Sequence, residues 1–197
     1  MATKVQKVIL NDEVVSELKR ANYLVQMAKE NVCFMLDNDY DISTNAFKNF
    51  DKKHLSYFTE QQSILNKIFK NFIPEDLKYQ VANYEVRFDE NCLYFELDES
   101  RTLPIEKIYK VTDVEKMREL QKYYFIKMHY EDVVSNFISM DGKIDNKAFQ
   151  TYYSLQQAAF EKENELKAEL FEETVDNKNG VLRYSFDFDN NAISCVM

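Results

Sequence analysis

Glycine, proline and histidine occur only twice each in this sequence, and tryptophan not at all. The two isolated glycines, Gly142 and Gly180, exclude glycine-rich phosphate loops, whose tight turns need several glycines within a few residues. Pro74 and Pro104 are the only prolines, so long stretches contain nothing that would interrupt a helix. His54 and His129 belong to no HExxH motif and neighbour no cysteine, so they read as surface or packing residues, not zinc ligands or catalytic bases. The three cysteines, Cys33, Cys92 and Cys195, are widely separated, odd in number and without a CxxC pair. They predict reduced, mostly buried thiols and argue against a disulfide framework. Two residues follow Cys195, where a prenylation motif requires three. No GxSxG surrounds a serine, and no spacing among the many carboxylates singles out a catalytic pair. No apolar run approaches the roughly 20 residues of a membrane helix, and Met1 to Leu10 lacks the apolar core of a signal peptide. No cofactor and no metal are expected.

What is present is apolar and acidic. In 197 residues, 45% are hydrophobic, including 15 Phe and 13 Tyr, which is enough to build a core without crosslinks. The 34 Asp and Glu outnumber 25 Lys and Arg, for a net charge of −9. That balance predicts a soluble protein and disfavours direct nucleic-acid binding, which depends on Lys and Arg.

The chain contains one pattern twice. Ile42-Ser43-Thr44-Asn45-Ala46-Phe47 returns as Ile144-Asp145-Asn146-Lys147-Ala148-Phe149. In each copy Ser43 or Asp145 is read as a helix N-cap, and Ile42 or Ile144 as the apolar partner of Phe47 or Phe149 in a hydrophobic staple. Upstream, Lys4 to Leu10 and Ile105 to Val111 read as short strands rich in β-branched residues. Asn11 or Asp12, and later Thr112 or Asp113, stand ready to cap a helix. The first such helix carries the stripe Val14, Leu18, Ala21, Val25, Ala28, Val32, Met35, and the second Met117, Leu120, Tyr123, Ile126, Tyr130, Val133, Phe137. The helices launched by the repeated stretch match in Phe58, Ile64, Ile68, Phe69 against Phe160, Leu166, Leu170, Phe171, and Pro74 stops the first of them. Helices of about 25 residues would be roughly 37 Å long. Each copy closes with alternating residues, Tyr84 to Phe95 and Tyr184 to Cys195, around Asp89-Glu90-Asn91 or Asp189-Asn190-Asn191. Asn and Asp tolerate the left-handed turn conformation, so each segment predicts a β-hairpin.

The fold expected is therefore α+β: an internal duplication of a β-α-α-β-β unit, each a long antiparallel helical hairpin with a small antiparallel sheet. The copies are placed at residues 1–98 and 105–197, with residues 99–104 as linker. Asp141-Gly142-Lys143-Ile144-Asp145 resembles the second half of a calcium loop. However, aligning Gly142 with that loop's glycine puts its first and last ligand positions on Phe137 and Ala148, and on Met35 and Ala46 in the first copy. None offers a carboxylate, so the stretch is read as a helix start. The charge-rich run from Glu161 to Glu173 is read as a solvated face.

Tyr123, Tyr124, Tyr152 and Tyr153 spread around more of the helix surface than one buried face needs, and are candidate interface residues. The functional expectation is a non-enzymatic structural or adaptor protein acting through protein–protein contacts, including self-association, within a larger assembly of cellular or viral origin. It would sit in the cytoplasm, or inside the particle if virus-encoded, away from membranes. The competing expectations are an acidic inhibitor or nucleic-acid mimic that fills a basic groove of a partner, and an enzyme with a pocket between the copies.

Overall fold

Each helix begins where a side-chain oxygen meets the amide three residues ahead. Asn11 Oδ1 accepts from the Val14 N–H at 2.9 Å, opening α1 (Asp12–Asp37). Asp113 Oδ1 accepts from the Lys116 N–H at 2.9 Å, opening α3 (Val114–Ser139). Thr44 Oγ1 and Asn146 Oδ1 do the same for the amides of Phe47 and Phe149, at 3.3 and 2.7 Å, opening α2 (Asn45–Phe72) and α4 (Lys147–Thr174). The chain is seen here as a computed structural model describing residues 4–98, 106–176, 178 and 180–196; the linker assigned to residues 99–104 lies outside them.

The strands are β1 (Lys4–Ile9), β2 (Val81–Arg87), β3 (Cys92–Leu97), β4 (Glu106–Lys110), β5 (Arg183–Asp187) and β6 (Ala192–Val196). They form two three-stranded antiparallel sheets, ordered β1-β3-β2 and β4-β6-β5. In both, the strand preceding the helices pairs with the last arm of the hairpin that follows them. Corresponding rows face the helices: Val8, Leu93 and Val86 lie side by side in one sheet, and Tyr109, Ile193 and Phe186 in the other. The turns repeat as well. Asp39 and Asp141 adopt φ of 54° and 56° between the helices, and Asn91 and Asn191 adopt 50° and 47° in the hairpins. The duplicated β-α-α-β-β architecture is thus present in backbone geometry and in sequence. After α2, Pro74 leads into a 3-10 turn at Glu75–Gln80.

By compactness the chain divides into Met1–Ala28 with Ser56–Leu103, and Lys29–Leu55 with Pro104–Met197. In the first unit, Val15, Leu18 and Ala21 of α1 and Ile64 and Ile68 of α2 cover Leu93, Phe95 and Leu97 of the sheet. The second unit has two cores. Met117, Leu120, Leu166 and Leu170 cover its sheet at Tyr109, Ile193 and Cys195. Farther along the helices, Val32, Leu36 and Phe47 pack with Val133, Phe137, Phe149 and Tyr152. The copies are units of topology, whereas compactness groups residues 29–55 with the second copy.

The first predicted stripe becomes a buried face, with Val15 buried in place of half-buried Val14; in the second, Met117, Leu120, Val133 and Phe137 are buried, whereas Tyr123, Ile126 and Tyr130 are half-buried. One match fails: Phe58 is buried, but Phe160 is largely exposed and its neighbour Ala159 takes the inward position. The solvated-face reading of 161–173 also needs correction at Glu163. That side chain is fully buried, with Lys127 Nζ 3.2 Å from Oε2 and Lys167 Nζ 2.5 Å from Oε1. Neither contact is aligned as a hydrogen bond, so charge attraction holds the carboxylate in place.

Candidate functional site

The repeated stretches meet within the second unit. Asp39 Oδ1, in the turn between α1 and α2, accepts from the Ala148 N–H of α4 at 2.8 Å. In return Asn146 Nδ2, in the turn between α3 and α4, donates to the Leu36 carbonyl near the end of α1 at 2.6 Å. The Lys143 N–H donates to Asp37 Oδ1 at 3.1 Å. Asp39 thus supplies an acceptor to a first-turn amide of α4, and Asn146 adds a second donor to the Leu36 carbonyl, which also accepts from the Asp39 N–H at 3.0 Å.

This geometry corrects the assignment of Ser43 and Asp145 as caps. The caps fall one residue later, at Thr44 and Asn146, while the Ser43 N–H is occupied by Asp41 Oδ1 at 2.8 Å. Asn146, at φ −74° and ψ 157°, has the extended backbone from which its side chain reaches the Phe149 amide. The isoleucines then stand two residues before the cap. Ile42 still packs half-buried on the core that holds Phe47 and Phe149, but Ile144 is largely exposed.

Ile144 has company. Phe34, Tyr40, Ile138, Met140 and Ile144, all at the ends of α1 and α3 or in the two turns, are each between 49% and 62% exposed. Asp37, Asp39, Asp41, Asp141 and Asp145 lie among them, with Lys143 and Lys147 as nearby cations in sequence. This end of the unit combines apolar side chains with carboxylates. The tyrosines proposed as interface residues are placed differently. Tyr152 is fully buried in the chain's own core, which removes it from any outer surface. Tyr123 is half-buried against the core under the second sheet, and the Tyr124 ring lies 5.6 Å from that of Phe188. Of the four, only Tyr153 is substantially exposed.

Tyr152 leads to the most concentrated polar chemistry in the unit, which sequence reading missed. His54 and His129 are both buried, and their Nδ1 atoms are 2.7 Å apart. His54 Nε2 lies 3.2 Å from Asp132 Oδ2, and His129 Nε2 lies 2.9 Å from Asp51 Oδ1. Lys29 Nζ donates to Asp132 Oδ1 at 3.1 Å, and the Tyr152 hydroxyl donates to Asp51 Oδ1 at 2.7 Å. α2 supplies Asp51 and His54, α3 supplies His129 and Asp132, and α1 and α4 supply the flanking Lys29 and Tyr152. Burial pushes His54 below the ordinary histidine range, against the pull of Asp132. Burial opposes ionisation of Asp132 too, but the hydrogen bond from His54 and the charge of Lys29 outweigh it and hold this carboxyl low. Tyr130 is pushed up to about 12 by burial and the Asp51 charge, and Tyr152 is raised well above the ordinary tyrosine range, by burial first and then by Asp51. Both rings are enclosed, and the two carboxylates that flank them, Asp132 and Asp51, are partly exposed. Among the described residues, no group of His, Cys, Asp and Glu is arranged to hold a metal ion, and no helix is long and apolar enough to cross a membrane.

No protein-family model, curated protein or solved structure matches the chain.

Proposed function

We propose that the protein is a non-catalytic structural or adaptor component acting through protein–protein contacts at the turn end of its second compact unit. The observation that carries this reading is the concentration of Phe34, Tyr40, Ile138, Met140 and Ile144, all largely exposed, around two turns already rigidified by reciprocal hydrogen bonds. Large apolar side chains grouped on a preorganised surface favour association, because covering them removes apolar area from water at little ordering cost. The carboxylates among them favour a partner whose apolar recess is rimmed by Lys or Arg, and disfavour two copies meeting through this same face. Self-association is better served by the outer strands, β1 and β2 in one sheet and β4 and β5 in the other, whose edges another strand can extend.

A photoreactive residue placed at position 34 or 140 of the full chain, in the cells that make it, tests the reading. Crosslinks to one defined protein other than a second copy of the chain are expected from both positions and not from position 85, an exposed residue on the first sheet. Equal crosslinking of that protein from position 85, or none from 34 and 140, overturns it.

A further inference from the structure

We propose that the series Asp132, His54, His129, Asp51 is an acid-sensitive clasp joining the segment 29–55 to the second helical hairpin. It is closed when the two imidazoles together carry one proton beyond neutrality, and opened by the next. The argument is a proton count. A carboxylate only accepts hydrogen bonds, so His54 Nε2 and His129 Nε2 must both be N–H donors to make their contacts with Asp132 and Asp51. The Nδ1···Nδ1 contact at 2.7 Å needs one N–H and one lone pair. All three contacts are therefore made only when one ring is imidazolium and the other imidazole, with the single positive charge lying between two carboxylates. A further proton sets two N–H groups and two like charges face to face across 2.7 Å, and that contact can no longer be a hydrogen bond. Loss of a proton instead leaves one Nε2 lone pair against a carboxylate, at His54 facing Asp132, or at His129 facing Asp51 with the Tyr152 hydroxyl 3.3 Å away.

The surrounding groups keep the titration on the two rings. From α1, Lys29 Nζ donates to Asp132 Oδ1, and the Cys33 thiol is pushed up by burial and stays neutral. From α3 and α4, Tyr130 and Tyr152 are raised and stay neutral. Asp132 is held low, and Asp51 accepts from both His129 and Tyr152. The direction on His54 fixes the window. An unfolded histidine takes its proton near pH 6.5, whereas the buried ring takes it at lower pH, so the unfolded chain binds more protons as pH falls. The clasp's contribution is thus largest near pH 6.5; it is lost progressively below that, at up to about tenfold in the folding equilibrium per pH unit for each proton, and it also declines at higher pH, where the unfolded histidines have released the proton that the closed clasp keeps.

Nitrogen NMR on the full chain reads the clasp directly. A scalar coupling across the hydrogen bond between His54 Nδ1 and His129 Nδ1 is expected at about pH 7.5, and is expected to vanish reversibly by about pH 5. No coupling at the higher pH, or one that persists unchanged at the lower, overturns the proposal. Urea unfolding of the full chain between the same pH values supplies the second arm. The wild type should lose stability more steeply than the His54→Gln/His129→Gln variant, and parallel pH dependences overturn the proposal. If that variant does not fold, the NMR result on the wild type decides alone.

Discussion

Phe137 is the residue on which the second copy's turn closes. Its ring stacks on Phe149 with centroids 4.7 Å apart and planes at 17°, and a Cβ added to Gly142 would fall 2.5 Å from ring carbons on Phe137. Gly142 does not need a left-handed backbone; it is required because a buried ring clamped against another ring cannot retreat. Gly142→Ala should therefore destabilise the chain by about 1–3 kcal/mol through overpacking, and Phe149→Ala by about 3–5 kcal/mol through the cavity it leaves. Urea unfolding measures both. Because both substitutions act on Phe137, the double variant should depart from additivity by at least about 0.5 kcal/mol. The apolar character of Phe149 was legible in the sequence. The need for glycine at 142 was not, since the clash depends on where the Phe137 ring lies.

Among the elements, α4 shows how one residue can serve two helices. Asn146 caps α4 through its carbonyl oxygen and the end of α1 through its amide, so Asn146→Ala should cost about 1–3 kcal/mol, more than an ordinary cap. Thr44→Ala, which removes one longer bond at 3.3 Å, should cost about 1 kcal/mol or less. A thermal-unfolding comparison of the two variants checks the order. Periodicity and turn chemistry marked the start of α4 to within a residue. Cap identity escaped because Ser43, Thr44, Asp145 and Asn146 all carry suitable oxygens, and only the path of the entering backbone selects between them. Glu163 escaped for a related reason. A carboxylate in a charged run resembles solvent-facing sequence until Lys127, on another helix, is seen to reach it. Glu163→Gln should destabilise by about 2–3 kcal/mol in the same assay. It leaves two lysines without their partner, although both still reach solvent.

For the molecule as a whole, the three free thiols report the two compact units separately. Cys92 lies in the first unit and Cys33 and Cys195 in the second, and all are buried. Alkylation under native conditions should be slow at all three and governed by opening. Mild acid should accelerate labelling of Cys33, which lies beside the histidine clasp, more than that of Cys92. Rates are compared after correction for thiolate fraction with an unfolded control. Equal acceleration at the two sites would count against local opening of the clasp.

The sequence by itself determined the elements, the duplication and the turns, because each is written in short-range patterns. Apolar spacing along a helix, alternation along a strand, and Asp or Asn at left-handed positions do not depend on what packs against them. The tertiary structure alone decided which polar groups are buried together. His54 meets His129 across 75 residues, and Asp39 reaches the α4 amide across 109. The histidines have no counterparts in the opposite copies, so the repeat that revealed the architecture made them look incidental. Their chemistry arises only where α2 of one copy lies against α3 of the other, since hydrogen bonds and buried charge depend on distance in space and not on position along the chain.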